Sequence, residues 1–458
     1  MSEVRAESPP PQLKRELGVT DLTLFAIGNI VSVRWVAAAA HAGPGSVTLW
    51  LLTVLLFGVP LVIAVAALMV KHPGTGGIYL WTRSDFGPWH GFLAFWVYWM
   101  GIALLIPSLA MFYISMTISL LGPNYAYLAE HRSFMLIACL ATIWIALGTN
   151  IIGMKIGKWT ENIGGAAIWV LGAVLAGAAA LVWVHHGTAT PMNIVPIWNW
   201  GTVNFWASIA FAVSGIELAG FLDTEIRDPD RTFRLAAWIA TAFQTVFYVA
   251  VTIALLVLLV PDKISELNGM ADAGGVAARL LEAPWIPATI AVLILINAVG
   301  GFGGLGTSVS RLPLAAGADH LLPSAFARIH PRWGTPHISL ITFGLVGSLL
   351  LVAIQFGDSV RAAYETLISL MILVGFLPYI YLFGGAWKAG RRVSAASGLM
   401  VTVLALVCSV VPSGEIANVW VFEGKIAAGT LAVIGSAWLV YRNTQKTCNF
   451  DVKNVENR

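Results

Sequence analysis

The sequence predicts an all-α membrane protein of twelve transmembrane helices, and three observations carry that prediction. Of its 458 residues, 58% are hydrophobic and only 11% charged, against about 25% charged in soluble domains; the mean hydropathy is +0.80. The apolar residues gather into runs of roughly 20 to 30, long enough to cross about 30 Å of hydrocarbon. Two short stretches about 186 positions apart also echo each other, residue beneath residue. They are Phe25-Ala26-Ile27-Gly28-Asn29-Ile30 and Phe211-Ala212-Val213-Ser214-Gly215-Ile216.

Apolar runs between turn-rich breaks place the spans at 20–41, 47–70, 89–120, 134–149, 157–184, 203–223, 235–260, 286–311, 338–355, 362–384, 397–412 and 424–441. Only the fourth and eleventh are short. The polar, proline-rich tail through about Val19 lacks an apolar h-region and a cleavage site, so no signal peptide is expected and insertion rests on the helices. The longest loops, near 185–201, 261–285 and 312–337, are too short for a soluble domain. Of 26 Lys and Arg, Arg34 falls within the membrane and five (Arg132, Lys263, Arg279, Arg361 and Lys425) lie opposite the termini; the other 20 lie with the termini. Positive charge follows the cytoplasmic side, so a multi-pass cell-membrane protein with both termini cytoplasmic is expected. Trp81, Trp89, Trp183, Trp198, Trp200, Trp285 and Trp420 fall near span ends, where amphipathic rings settle.

Cys139 and Cys408 lie inside apolar runs and Cys448 in the tail, so there is no disulfide framework and no metal-ligand spacing. No cofactor, metal or nucleic-acid partner is expected; the partners are the lipid bilayer and a small solute. No nucleophile with its base lies within the spans, which argues against an enzyme.

The echoing stretches hold the chemistry. Each puts helix-breaking residues at membrane depth and then an ionisable side chain, Arg34 after Val31-Ser32-Val33 and Glu217 after Gly215-Ile216. Corresponding interrupted segments in two halves of a membrane chain point to a transporter's binding site. A broken helix leaves carbonyls at one half-helix end and N–H groups at the other, attracting cations and anions respectively. Two such breaks suit a zwitterion. Asn29, Ile30, Val31, Ser32 and Arg34, with Ser214, Gly215 and Ile216, are the candidate binding residues. Arginine at mid-membrane costs roughly 2.5–3.5 kcal/mol even on lenient scales, so Arg34 either grips a substrate carboxylate or pairs with Glu217. Glu217 either gates or takes up a proton, or is permanently tied by neighbours. Phe211 is an aromatic lid or a packing ring. Gly300, Gly301, Gly303, Gly304 and Gly306 form a bare flank suited to close helix packing, and Thr307 and Ser308 offer oxygens to sodium only away from the midplane.

Several stretches resemble the amino acid–polyamine–organocation (APC) permeases. Ala212-Val213-Ser214-Gly215-Ile216-Glu217 followed by Glu225-Ile226-Arg227-Asp228-Pro229 is similar to their sixth-helix signature. Pro73-Gly74-Thr75-Gly76-Gly77, Asn150-Ile151-Ile152-Gly153, and Ser310-Arg311 through Asp319-His320-Leu321-Leu322-Pro323 resemble their loops. The resemblance implies a leucine-transporter (LeuT) fold, with broken helices one and six and two inverted five-helix repeats. These repeats would cover about 20–184 and 203–384 of a 20–384 core, with a tail at 1–19, accessory helices over 397–441 and a tail at 442–458. By the same resemblance Phe211 falls on the gating aromatic and Glu217 on the sixth-helix acid. One departure stands out. Ser32-Val33-Arg34 replaces the family's Gly-Ser-Gly, whose bare backbone binds the substrate carboxylate, and is similar instead to the glutamate/γ-aminobutyrate antiporter-like branch.

The expected function is a secondary active transporter of amino acids or related small carboxylates, proton- or exchange-coupled and working by alternating access. A polyamine or organic cation transporter, and a substrate sensor without flux, are the alternatives.

Overall fold

The computed structural model describes residues 15–196, 200–265, 268–354, 360–411 and 419–456. Residues 1–14 of the expected tail, Trp198 and residues 457–458 lie outside the described residues.

Helices dominate: α1 (Val19–Ile30), α2 (Val33–His41), α3 (Ser46–Lys71), α4 (Ile78–Phe86), α5 (Pro88–Leu121), α6 (Arg132–Ile151), α7 (Met154–His186), α8 (Trp200–Ala212), α9 (Glu217–Gly220), α10 (Pro229–Leu258), α11 (Gly269–Leu280), α12 (Trp285–Val309), α13 (Arg311–Ala318), α14 (His337–Ile354), α15 (Val360–Lys388), α16 (Arg392–Val410) and α17 (Val419–Glu456). Among the described residues nine helical spans are long and apolar enough to cross a bilayer, and the pair α1–α2, bent by 43°, makes a tenth. Shorter apolar helices, Phe205–Gly220 and His337–Ala353, fall where the sixth and ninth spans were expected. The fourth and eleventh are not short: they are helices of 20 and 19 residues. The apolar runs undercounted them because their first turns carry the exposed Arg132 and Arg392. The last helix also continues to Glu456, through most of the expected tail.

The core is an apolar interior surrounded by an apolar exterior, as a bilayer solvent demands. α5 is buried over most of its length, including Phe92, Phe95, Tyr98, Phe112 and Tyr113, the pattern of a helix hydrophobic all round. Ile137, Leu349, Val393 and Leu431 instead project outward from peripheral helices. With no hydrophobic effect to join helices in lipid, close backbone approach does much of the joining. The glycine flank of α12 acts in this way: a Cβ on Gly300 would sit 2.6 Å from the Thr160 carbonyl oxygen and 2.7 Å from the Gly164 Cα. Trp183, Trp285 and Trp420 are exposed, but Trp81 is buried edge-on against Phe221. It packs inside the helix assembly and does not belong to an interfacial belt.

Candidate functional site

Both predicted breaks exist, and they touch. Val31 and Ser32, between α1 and α2, are extended (φ −94°, ψ 116° and φ −129°, ψ 124°). In the second crossing, α8 ends at Ala212 and α9 begins at Glu217. Gly215 between them has φ +107°, a conformation that strains any residue with a Cβ. A Cβ there would lie 3.3 Å from the Ile30 Cγ2 atom, so the break of one crossing packs directly on the other.

One helix stitches them. Gln244 and Tyr248 are four residues apart on α10, hence on one face. Gln244 Nε2 donates to the carbonyls of Ile30 (3.0 Å) and Ala212 (2.9 Å), the last residues of the two half-helices. The Tyr248 hydroxyl lies 2.9 and 3.2 Å from the same two carbonyls and accepts from Ser32 N–H at 3.2 Å. Stacking on Trp50, at 4.3 Å between centroids, holds the tyrosine ring in place. These two carbonyls, which the sequence offered to a substrate ammonium, are therefore occupied by protein donors.

Glu217 opens α9 and is fully buried. Its Oε1 accepts from Tyr98 (2.7 Å) and Tyr379, and its Oε2 from Gly215 N–H (3.1 Å). A carboxylate at a helix N-terminus with three donors is electrostatically well placed. Beside it lies a cavity of about 70 Å³ between the breaks, α5, α12 and α15. Of the predicted site residues, Asn29, Ile30, Val31, Ser32, Phe211, Ser214, Gly215 and Glu217 line it; Arg34 and Ile216 do not. Phe211 packs against Trp35 (5.6 Å) and edge-on to Phe376 (5.7 Å). Asn29 Oδ1 and Ser32 Oγ are buried without a hydrogen-bond partner among the described residues.

Arg34 is buried, but it faces elsewhere. Its Nη1 donates to Ser108 Oγ at 2.8 Å, and its guanidinium carbon lies 4.0 Å over the ring of Trp35. Trp35, not Arg34, reaches the cavity wall. Glu217 makes its contacts with the tyrosines and Gly215, not with Arg34. The reason is helical phase. At 3.6 residues per turn Ser32 and Trp35 share a face, and Arg34 points about 100° away.

On the face carrying the N-terminus charge pairs lie in layers. Arg311 forks onto Glu225 with two contacts of 2.9 Å, both side chains at most 2% exposed. Lys158 pairs with Asp21 at 2.7 Å. Tyr79 and Arg83 both donate to Asp319. Burial, then the Asp319 hydrogen bond, holds the Tyr79 phenol above its ordinary pKa, which keeps it a donor. Leu17 forms a parallel bridge to Ile226, pinning the segment before α1 across this face.

Sequence reasoning missed Tyr98, Tyr379, Gln244 and Tyr248. Gln244 carried a signal: an amide in mid-span needs a partner. The three tyrosines read as packing aromatics.

The family model for amino acid permeases matches residues 17–438. An uncharacterized transporter of Legionella pneumophila is 24% identical over 451 residues, covering 93% of this chain and 96% of that protein. A probable agmatine/putrescine antiporter of Lactococcus lactis is 23% identical, covering 85% of this chain and 86% of its own. The Asc-type amino acid transporter 1 of Mus musculus is 26% identical, covering 80% and 69%. With the match running nearly end to end, the chain belongs to the amino acid permease family of the APC superfamily, membrane transporters and not enzymes.

Proposed function

We propose that this permease is a secondary active transporter of amino acids or related small carboxylates, working by alternating access and coupled to protons or to a counter-transported solute. One observation supports this most: two unwound crossings enclose a cavity that holds a carboxylate and two unpartnered oxygens, Asn29 Oδ1 and Ser32 Oγ. A solute amino group would be received there, and its carboxylate by N–H groups opening α2. Phe211 closes over the solute, and Glu217 links α9 to α5 and α15 through its tyrosines, which makes it the gating acid. Arg34 acts through Trp35 and through its positive potential. The charge bias puts both termini in the cytoplasm, so the layered seal is the inner gate and the solute enters this state from outside.

A second reading, an organic cation substrate, is favoured by the position of Arg34 off the cavity while Glu217 lines it. Uptake of labelled glutamate, alanine and putrescine into proteoliposomes separates the two. Glu217→Gln loses a charged acceptor for two phenols, and such bonds contribute about 1.5–3 kcal/mol; uptake is expected to fall about tenfold or more. Arg34→Ala is expected to weaken glutamate and alanine uptake but spare putrescine. Normal uptake of all three by both variants would remove these residues from the mechanism.

A further inference from the structure

Another buried carboxyl lies outside the cavity. Glu161, on α7, is 7% exposed, and its Oε1 is 2.7 Å from the Thr307 hydroxyl on α12. The same hydroxyl is 2.7 Å from Oδ1 of Asn150 on α6. A threonine hydroxyl has one proton, yet it stands between two acceptor oxygens. Turning the amide would let Nδ2 donate to Thr307, at the cost of its bond to the Ala146 carbonyl (3.3 Å), where two oxygens would then face each other. With the amide as it stands, the three groups close into a chain of donors when the carboxyl brings a proton, giving it to Thr307, which gives its own to Asn150. Glu217 differs in kind, since three donors already converge on it.

The site has an entrance and a lever. A cavity of about 20 Å³ lies among Asp21, Asn150, Lys158, Glu161, Asn162 and Thr307, enough for one water. At it sits the partly exposed Lys158–Asp21 pair, with side chains 36% and 25% exposed. On the other side, the carbonyl of Thr307 accepts from Arg311 Nη1 at 2.6 Å, and Arg311 carries the ion pair to Glu225. The charged groups around Glu161 are thus Lys158 and Asp21 toward solvent, and Arg311 and Glu225 toward the seal.

We propose that Glu161 is a proton-binding site of this transporter, filled from the N-terminal face and coupled through Thr307 to the Arg311–Glu225 seal; this rests on the transport reading above. The proton passes from water at the Lys158–Asp21 mouth to the Glu161 carboxylate, leaving hydroxide or neutral water behind according to the donor. With the proton bound, the Thr307 chain is complete and Arg311 stays on Glu225. Without it, the free carboxylate competes for Arg311 and the seal loosens.

The test uses full-length protein in proteoliposomes with a one-unit pH gradient, acidic on the side that bears the N-terminus, so that a proton leaving that side is exchanged for a solute entering it. For one-to-one coupling this gradient supports about tenfold accumulation. Labelled glutamate, alanine and putrescine serve as probes, and substrate-induced thermal shifts check folding. The wild type is expected to respond to the gradient and Glu161→Gln to lose at least fivefold of that response (about 70% of the logarithmic gain available). Thr307→Val, which breaks the chain while keeping the carboxyl, is expected to lose it too, and serves if Glu161→Gln does not fold. A wild type that moves a probe without responding to the gradient, or variants that respond as the wild type does, overturn the proposal alone. A wild type that moves none of the probes overturns the transport reading itself.

Discussion

Replacing Arg311 with methionine is expected to destabilise the protein by about 3–5 kcal/mol, the cost of leaving one member of a buried pair uncompensated. Glu225 would then be a carboxylate 1% exposed with its two guanidinium contacts gone. Thr307 and Ser310 would also lose the donor they share. The double variant Arg311→Met/Glu225→Leu is expected to recover most of that loss, because two apolar side chains of similar volume need no desolvation. Recovery of stability should not restore transport. A neutral seal cannot exchange partners, so the double variant is expected to be stable and slow. Denaturation in detergent and uptake in liposomes measure the two effects separately. If the double variant is as unstable as the single one, the pair does not hold that face together.

The breaks were legible because backbone chemistry is local. Ser32, Ser214 and Gly215 announce a departure from helix wherever the chain places them, and a pair of similar hexamers marks both positions. The glycine flank of α12 was legible for a related reason, since side-chain-free surface at helical spacing serves close packing and little else. What surrounds the breaks was not legible. Tyr98, Tyr248 and Tyr379 come from three other helices, and a span's periodicity says which face is buried without saying which turn meets Glu217 or Ile30. Arg34 is the instructive case. Its cost at membrane depth required burial, and it is 1% exposed. Direction was the part missing: two residues past the break the helix has already turned it from the cavity onto Ser108. Glu161 falls inside the expected fifth span but drew no reading, because its significance depends on Thr307 and Asn150, which tertiary packing brings together from α12 and α6.

Gln244→Leu is expected to damage the breaks more than Tyr248→Phe does. Gln244 has two N–H groups, one for each carbonyl that ends a half-helix. Tyr248 has one proton for the same pair and is also needed by Ser32 N–H. After Gln244→Leu one of the two carbonyls must go without a donor in a dry site, at about 1–3 kcal/mol. Leucine also leaves the tyrosine as the side chain that hydrogen-bonds the ends of α1 and α8 to α10. Uptake is expected to fall about tenfold or more, in proportion to that energy, with a loss of thermal stability in the same protein. Tyr248→Phe keeps the stacking on Trp50 and leaves both carbonyls their amide donors, so its effect is expected to be smaller on both measures. The order of the two variants is the informative result. Were Tyr248→Phe the more harmful, the crossings would be held together by the ring and its Ser32 contact, and the amide would be a bystander.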